Sequence, residues 1–548
     1  MPPSPESIKG ATLPHSSPSE EGGNKTVAIV GGGLAGLAAA CALSASGFRV
    51  TLFERRPYLG GRASSYEHPG TGEVVDNCQH VLFQLCSNLI DFYRKIGIEG
   101  KILWFDTMTF IEPGGRQSLL KPASLPAPLH VTPSFLGFKF LSARDKLALT
   151  RALAVLILTQ PKDDGFSFHD WLIRHHQTPA AIERFWKPIL VSSLSEDLDR
   201  ISVPHAAQVI RVSMRSRDAR LMGVPTVPLT ELYSAARDYI VSHGGDVRLR
   251  SNIRSFQPTQ RGVRIELQDL EEEFDYAVLA IPFDALAKLL PDSPQAAELR
   301  EQISHFETSP ITGVHFWFDR QITDLPHAVL LDRTIQWMFH KSLLLRPRSS
   351  QRGVQPLPAF GSSGNGELTG KNDLTPVATI ESSGSYQGTA SALLPDTTSL
   401  VSSRAPQDHP LVNDSAEPGE LDYLELVISS SKSLINKSRQ EIIELALAEL
   451  REFFPAAREA RLVKATVIKE VNATFSPQPG IEAHRPPSQT VWPNVFLAGD
   501  WTATGWPATM EGAVRSGYLA TEAITKKCGA PKKFLVPDLP PSGLMRLR

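Results

Sequence analysis

The sequence has few cysteines, almost no net charge and no long apolar run. Its four cysteines, among 548 residues, show neither CxxC nor metal-ligand spacing, which favours reduced thiols in a cytosolic protein over disulfides. A net charge of −2 gives no reason to expect nucleic acid as a partner. The longest apolar run, Ala152–Leu158, is much shorter than the about 20 residues that span a bilayer. We therefore expect no integral membrane protein, although contact with a membrane surface stays open.

Three stretches differ in composition from the rest of the chain. Residues 1–24 are rich in Ser, Pro, Gly and Glu, and we expect a disordered tail there rather than a signal peptide. Residues 346–420 have a similar composition between two candidate strands, which predicts a disordered insertion. Residues 527–548 are expected to form a solvated tail. The histidines around residues 169–176 lack the H-x-x-x-H spacing of a metal site, so no metal is expected.

The segment Thr26–Glu54 carries a dinucleotide-binding pattern. A short apolar strand leads into Gly31, Gly33 and Gly36 in G-x-G-x-x-G spacing, and an Ala- and Leu-rich helix follows. Glycine at these places permits a tight turn and close approach of a pyrophosphate to the backbone, while the helix N-terminus attracts the phosphates. Glu54 closes the next strand, where a carboxylate binds a ribose diol and repels a 2′-phosphate. This context makes the pattern stronger than the glycines alone.

A second glycine turn follows directly, in "ERRPYLGGRASS" (Glu54–Ser65). Gly60 and Gly61 precede Arg62, so backbone N–H groups and a guanidinium can reach the same pyrophosphate. We would not expect this turn in a plain NAD dehydrogenase, and the stretch resembles the FAD signature of the amine oxidase and phytoene desaturase superfamily, which implies FAD rather than NAD. A surface turn with an unrelated arginine is the alternative.

Near the other end, "VWPNVFLAGD" (Val491–Asp500) predicts a buried strand, and a helix with small residues on one face follows. Asp500 can bind a sugar-alcohol hydroxyl, and the helix start near Met510 can approach a planar ring and stabilise negative charge there. A strand and helix that simply pack on the sheet would explain the small residues but not the pair Gly499 and Asp500. The end of the chain is therefore expected to rejoin the nucleotide domain.

Two further segments have open interpretations. Asn77, Gln79 and His80 interrupt an apolar run, and buried polar groups need partners or a ligand; for His80, a hydrogen-bonded core histidine is the default. Pro128–Leu158 is the most apolar stretch, and Ser142 with Asp145 marks a helix start inside it. We favour a core helix there, with a membrane-contacting or tunnel-lining helix as the alternative.

These segments together resemble the squalene-associated FAD-dependent enzymes, the hydroxysqualene dehydroxylases of bacterial hopanoid synthesis. The resemblance rests on "VAIVGGGLAGLAAA", "ERRPYLGGRASS", "VVDNCQHVLF", "VPLTELY" and "LAGDWTATGWPATMEGAVRSG" and spans Thr26 to about Ile524. The terminal motifs belong to the wider amine oxidase and phytoene desaturase superfamily. Cys78 and Trp506 depart from the pattern, where Gly and a smaller aliphatic residue are expected, and both would reshape the pocket.

The resemblance implies an α/β fold in which a Rossmann-like FAD-binding domain is interleaved with an α+β substrate domain. The FAD-binding domain would comprise residues 25–110, 229–290 and 481–526, and the substrate domain residues 111–228 and 291–480.

The resemblance also implies roles for individual residues. Gln79 and His80 would lie beside the flavin ring as catalytic residues, with His80 as the proton donor or its relay because its ordinary pKa of about 6.5 suits an acid. The residues implied for the ADP half of FAD are Gly31, Gly33, Leu34, Ala35, Gly36, Glu54, Arg55, Gly60, Gly61 and Arg62, with Ile253 contacting adenine through its backbone. Gly499 and Asp500 would take the ribityl chain, and Met510 the ring.

The implied reaction is reductive dehydroxylation, in which hydroxysqualene and reduced FAD give squalene, water and FAD. The implied substrate is a long-chain isoprenoid, which would enter from the inner face of the cytoplasmic membrane at the Pro128–Leu158 region. Because no second dinucleotide motif is present, the electron donor is expected to be external, and its identity is open. A carotenoid desaturase or another flavin oxidoreductase of the amine oxidase type is one alternative, and a non-catalytic prenyl-lipid-binding protein is another.

Overall fold

The computed structural model describes residues 25–268, 270–345 and 421–547. The predicted disordered tail (1–24) and insertion (346–420) lie outside the described residues. No helix within the described ranges is long and apolar enough to cross a membrane.

A five-stranded parallel sheet forms the first layer. Its inner strands are rich in apolar residues, and Val27, Ala28 and Ile29 are fully buried, as expected for a sheet covered on both faces. In spatial order the strands are Asp246–Arg248, Arg49–Phe53, Thr26–Val30, Tyr276–Leu279 and Val495–Leu497. All neighbouring pairs run parallel. The parallel sheet therefore collects strands from three separated parts of the chain, which confirms the Rossmann-like α/β class.

A seven-stranded mixed sheet forms the second body of the structure. Its long strand Thr308–Phe318 lies antiparallel to its neighbours on both sides. In spatial order the strands are Leu462–Phe475, Thr308–Phe318, Asp422–Ser429, Trp337–His340, His327–Leu330, Met108–Ile111 and Gln117–Leu120. The predicted boundary between the two domains, at residue 110, falls inside the strand Met108–Ile111. Both neighbours of this strand belong to the seven-stranded sheet, and the strand is therefore part of that sheet.

Three small sheets complete the strands. They pair Ser65–Glu67 with Val74–Asp76; Ser255–Pro258 with Val263–Glu266 and Glu271–Phe274; and Met222–Pro225 with Leu82–Phe83 and Ile102–Phe105. The α-helices are Leu34–Ser44, Ser87–Lys95, Thr132–Gly137, Ala143–Leu158, Phe168–Arg174, Pro179–Ala181, Lys187–Leu194, Val203–Met214, Leu229–Ser242, Phe283–Leu289, Ala297–Ser304, Lys341–Leu344, Arg439–Phe453, Ala456–Glu459 and Met510–Lys527.

The first and last of these helices pack closely on each other. A Cβ atom at Gly517 would lie 2.3 Å from the carbonyl oxygen of Ala35 and 2.9 Å from the amide nitrogen of Ala39. Only glycine fits this contact, and this explains the small residues near the C-terminus. The end of the chain thereby packs against the first glycine-rich segment.

The apolar stretch from Pro128 onward is divided between elements. A 3₁₀ turn at Leu129–Val131 and a short helix precede Ala143–Leu158, whose start carries the Ser142–Asp145 capping box. Leu149 and Leu156 are fully buried, whereas Leu147 is 53% exposed. The prediction of a core helix is therefore correct for one face of the helix Ala143–Leu158 only.

The C-terminal residues were expected to be solvated, and this prediction is wrong. The Val536 amide donates to the Asn88 side chain at 2.8 Å, and Asp538 pairs with Arg515 at 2.8 Å. The Leu544 amide donates to the Ala127 carbonyl at 2.8 Å. Phe534 and Leu535 pack on the core of the parallel-sheet domain. The segment 531–546, called the C-terminal strap below, therefore binds along the protein surface because its few apolar residues find partners.

Candidate active site

The first glycine turn is fixed by backbone contacts. Gly31 has a φ of +107°, and a Cβ atom there would lie 2.5 Å from the carbonyl oxygen of Ala280. A Cβ atom at Gly36 would lie 1.9 Å from the carbonyl oxygen of Gly31. At Gly33 the situation is opposite, because the nearest atom to an added Cβ is the Gly61 Cα at 3.8 Å. The turn is therefore tightly packed behind the helix start and open in front of it.

The open space at Gly33 faces the N-terminus of the helix Leu34–Ser44. Gly33 is the N-cap residue and makes no side-chain cap, and the first turn, which contains Leu34 and Ala35, holds no acidic residue. Unpaired N–H groups and the helix dipole thus point into unfilled space, which is the arrangement that binds phosphate.

The second glycine turn lies against the first. The Gly60 amide donates to the Gly32 carbonyl at 2.9 Å, and Gly33 and Gly60 form a parallel bridge. Arg56, not Arg55, binds this turn, with its guanidinium on the Gly61 carbonyl at 2.9 Å. The Arg55 side chain is exposed.

Glu54 is buried at the end of its strand. Its carboxylate accepts the Gly32 amide and the Arg56 amide, each at 2.7 Å. The Glu54 carbonyl accepts the Ser251 amide at 2.8 Å, which brings the segment of the buried residue Ile253 alongside. The glycine turns, Glu54 and the Ile253 segment thus meet at one edge of the parallel sheet.

Arg62 and Asp500 join the two ends of the chain. The guanidinium donates to the Asp500 carboxylate at 2.5 Å and to the Ala473 carbonyl at 2.9 Å. Gly499 precedes Asp500 with a φ of +153°, and a Cβ atom there would lie 2.4 Å from the Trp501 indole nitrogen. Glycine therefore lets the strand end turn so that Asp500 faces Arg62.

Gln79 belongs to a buried ionic cluster. The Lys341 ammonium donates to Asp76 at 2.7 Å and to the Gln79 side-chain oxygen at 2.9 Å, and it lies 3.4 Å from Glu425. Burial works against its charge, yet Asp76 and Glu425 hold the pKa of Lys341 above its ordinary value. Burial raises the pKa of Glu425 to about 7. We call these four residues the Lys341 cluster.

The sequence contains no pattern that identifies the Lys341 cluster. Lys341 begins a four-residue helix after the strand Trp337–His340, and Glu425 lies within the strand Asp422–Ser429. The strand that precedes Lys341 pairs with the strand of Glu425 in the seven-stranded sheet, whereas Asp76 and Gln79 lie in the N-terminal part of the chain. Only the tertiary fold brings them together.

His80 is placed less favourably for acid catalysis than its sequence suggests. Its Nδ1 atom lies 2.7 Å from the Cys78 carbonyl oxygen, which selects the tautomer that donates from Nδ1. Burial lowers the pKa of His80 below the ordinary value, so the neutral ring predominates at physiological pH. In this tautomer Nε2 is an acceptor and not a proton donor.

A cavity of about 650 Å³ opens beside this cluster. Its wall is mostly apolar and includes Gln79 and Met510, but not His80. Cys78 and Trp506, the two departures from the expected motif, also lie in the wall. The Tyr233 hydroxyl approaches the Met510 sulfur at 3.5 Å and holds it at the cavity edge.

Leucines mark where the cavity reaches the surface. Leu129, Leu136 and Leu158 line the cavity and are 44%, 61% and 62% exposed. Side chains that both line a cavity and meet solvent lie at its mouth. The opening is therefore formed by the Pro128–Leu158 region.

Comparison with protein families identifies the class of this site. The sequence profile of the flavin-containing amine oxidoreductases matches residues 34–366 and 374–525. The chain belongs to this family. Its members bind a flavin, and FAD is the cofactor of this oxidoreductase.

Several relatives of this flavin oxidoreductase have carotenoid substrates in their names. A 15-cis-phytoene desaturase of Synechococcus elongatus is 24% identical, with 91% of this chain and 95% of the relative covered. A probable zeta-carotene desaturase of the same species is 26% identical, with 91% and 98% covered. The zeta-carotene desaturase of Zea mays is 25% identical, with 98% and 87% covered.

Solved structures confirm the fold of this flavin oxidoreductase. An oxidoreductase from Methanosarcina mazei superimposes with a TM-score of 0.62 at 14% identity, over 91% of this chain and all of the other. Putrescine oxidase bound to putrescine gives a TM-score of 0.62 at 15% identity, over 92% and 99%.

The residues at the edge of the parallel sheet fit FAD. The open space at Gly33 and the uncapped helix suit a pyrophosphate, and the buried carboxylate of Glu54 suits a ribose diol. No group of His, Cys, Asp or Glu in the described part of the chain could hold a metal ion.

Proposed function

We propose that this flavin oxidoreductase acts on a long-chain isoprenoid held in the apolar cavity. The observation that carries the proposal is the cavity itself, which is large, mostly apolar, open at exposed leucines and bordered by Gln79 and Met510. When it is bound, FAD accepts a hydride from the substrate or donates one to it. The chain's own part is to orient an extended apolar molecule and to exclude water from the reacting carbon.

Carotenoid-type desaturation is the reaction that the relatives support. The similar proteins named above are phytoene and zeta-carotene desaturases that align over most of this chain. Desaturation removes a hydride and a proton from the substrate. Because His80 is neutral and its Nε2 is an acceptor, it suits proton removal better than proton donation.

Reductive dehydroxylation of hydroxysqualene is the second candidate, and the Lys341 cluster favours it. Lys341 donates to the side-chain oxygen of Gln79, which leaves the two N–H groups of the same amide to donate to other acceptors. One of them reaches the His80 carbonyl at 3.2 Å. The other could donate to a substrate hydroxyl in the cavity, and with the ammonium behind it would stabilise negative charge that develops on the departing oxygen, which takes its proton from the reduced cofactor or from water. A hydrocarbon substrate would make no use of this donor.

One pair of anaerobic assays separates these reactions. Purified FAD-loaded protein is incubated in the oxidised form with phytoene or zeta-carotene, and in the chemically reduced form with hydroxysqualene. Flavin absorption and extracted products are followed together. Flavin reduction with a new polyene supports desaturation, whereas flavin oxidation with squalene supports dehydroxylation. Protein that binds FAD but yields no product in either arm refutes the proposed function, and protein that binds an isoprenoid without FAD favours a prenyl-lipid carrier.

A further inference from the structure

Arg220 is a charged residue in the wall of an apolar cavity. It ends the 3₁₀ turn Asp218–Arg220, and its partly buried side chain lines the cavity. Within residues 25–268, 270–345 and 421–547, no hydrogen bond or ion pair to its guanidinium is present. Its neighbour Asp218 is exposed and does not pair with it. Burial lowers the pKa of Arg220 to about 10, still far above neutrality, so it is cationic at physiological pH.

A second polar group without a partner lies close to Arg220. His130 is fully buried, and neither ring nitrogen has a hydrogen-bond partner. Burial, with the nearby charges of Arg220 and Arg217, lowers the pKa of His130 to about 4. The backbone neighbours of His130, Leu129 and Val131, both line the cavity. The neutral imidazole thus lies behind the part of the wall that Arg220 lines, with no surface exposed to the cavity.

The guanidinium needs an acceptor that the described chain does not supply. A buried or half-buried cation without a counter-charge is unfavourable, and buried ring nitrogens are normally hydrogen-bonded. An anion in the cavity would satisfy the guanidinium, which binds phosphate oxygens in a bidentate manner. The adjoining wall is apolar and opens at Leu129 and Leu136, so whatever carries the anion would also carry an apolar chain.

We propose that Arg220 binds the phosphate end of a long-chain lipid, whose apolar chain lies in the cavity. A phospholipid of the bilayer and a free long-chain phosphate ester share this chemistry. The inference rests on the proposed function only in treating the cavity as a lipid site. Such a lipid would occupy the same space as the isoprenoid, so we expect the two to compete.

The test uses dodecyl phosphate below its micelle concentration, with dodecanol as the uncharged comparison. Binding to full-length FAD-loaded protein is measured by isothermal titration calorimetry, which needs no turnover. We expect dodecyl phosphate to bind at least about tenfold more tightly than dodecanol, as one charge-assisted contact provides. Arg220→Gln should remove this preference, and Arg220→Lys should retain part of it.

Arg217→Gln is the matched control, because Arg217 loses the same charge three residues away on an exposed side chain. It should keep the preference for dodecyl phosphate. Equal binding of the two ligands by the wild type, or equal losses in the two glutamine variants, would overturn the proposal. Flavin content and thermal unfolding of each variant show whether it is folded.

A second arm identifies the source of the phosphate. Co-sedimentation compares vesicles of phosphatidylcholine alone with vesicles that contain phosphatidylglycerol. If Arg220→Gln loses binding to the anionic vesicles and Arg217→Gln does not, the ligand is a bilayer phospholipid. If only dodecyl phosphate binding depends on Arg220, the ligand is a free phosphate ester. Either result supports the site, and both are independent of whether any isoprenoid is converted.

Discussion

At the scale of single residues, Lys341 organises the polar part of the cavity wall. Its ammonium is surrounded by Asp76, Gln79 and Glu425, and all four side chains are buried. Asp76 also accepts the Leu229 amide and the Ser65 hydroxyl, so the cluster connects the second sheet to the start of the helix Leu229–Ser242. In the function proposed above, Lys341 is therefore a positioning residue, which would act on substrate through Gln79.

Replacing Lys341 by Met should destabilise the protein, because Asp76 then keeps a buried charge without its partner. Loss of one member of a buried ion pair costs about 3–5 kcal/mol. Chemical unfolding followed by circular dichroism measures the change. The double variant Lys341→Met with Asp76→Asn should regain part of the loss, and a single variant as stable as the wild type would contradict a structural role for the pair.

Glu425 should make stability depend on pH in an identifiable direction. Its pKa rises from 4.5 to about 7 on folding, so the folded state binds more protons than the unfolded state between these values. Its contribution is therefore fully present below about pH 4.5 and is lost as the pH rises through about 7. The measurement compares unfolding of wild type and Glu425→Gln from pH 5 to 8. The wild type should lose on the order of 1–3 kcal/mol relative to the variant, and parallel curves would contradict the assignment.

Gly33 offers a test of the cofactor site that leaves the fold intact. Its φ of −77° suits alanine, and the added Cβ would meet only Gly61 at 3.8 Å while occupying the space in front of the helix start. We expect Gly33→Ala to weaken FAD binding more than about tenfold by blocking the pyrophosphate. Fluorescence titration of FAD-free protein measures it. Gly100→Ala, where nothing lies within 4 Å, is the control, and unchanged FAD affinity in Gly33→Ala would remove this turn from the site.

At the scale of elements, the helix Met510–Lys527 joins the cofactor edge to the cavity. Thr509 caps its start by accepting the Gly512 amide at 3.1 Å, and Met510 lines the cavity. Further along, Gly517 packs against the backbone of Ala35 and Ala39. The start of the helix therefore borders the cavity, and its middle, at Gly517, packs against the first helix, Leu34–Ser44.

Enlarging Gly517 should separate these two helices. Its Cβ in Gly517→Ala would overlap the Ala35 carbonyl, and backbone on both sides would have to shift. We expect a lower thermal midpoint and loss of FAD on gel filtration, because the shift moves the turn that begins at Gly31. Gly100→Ala again serves as the comparison. Full retention of FAD would show that the contact is dispensable.

The elements differ in how far the sequence predicts them. The strands Thr26–Val30 and Tyr276–Leu279 are almost entirely apolar, and the capping box at Ser142 marks a helix start, so local patterns suffice there. The Lys341 cluster could not be found in this way, since its members share no spacing. The C-terminal strap was misjudged because its prolines and lysines resemble a solvated tail, while its hydrogen bonds go to the distant residues Asn88 and Ala127.

At the scale of the whole molecule, the mouth of the cavity points to where the protein meets its substrate. Hydrocarbon tails are as apolar as the cavity, so an isoprenoid gains little by crossing water to reach it. The exposed leucines at the mouth match a surface that contacts lipid. We propose peripheral binding at the inner face of the cytoplasmic membrane through this region.

Removing two leucines at the mouth should weaken membrane binding. Burial of a leucine contributes about 1.5–3 kcal/mol, so Leu136→Ser with Leu158→Ser should lower vesicle partitioning at least about tenfold. Flotation of full-length protein with phospholipid vesicles measures it. Val241→Ser, at an equally exposed position on the helix Leu229–Ser242, is the control. Failure of the wild type to float with vesicles would refute the proposal.

The ion pair between Arg62 and Asp500 joins residues that are 438 positions apart. During synthesis, the ribosome completes the glycine turns and Glu54 long before Asp500 emerges. The nascent polypeptide therefore lacks Asp500 and Met510 until late in synthesis, and tight retention of the coenzyme should develop only once the last strand and helix have emerged. Prematurely terminated products that lack the final strand and helix should therefore lose FAD on gel filtration, even where their N-terminal region has folded.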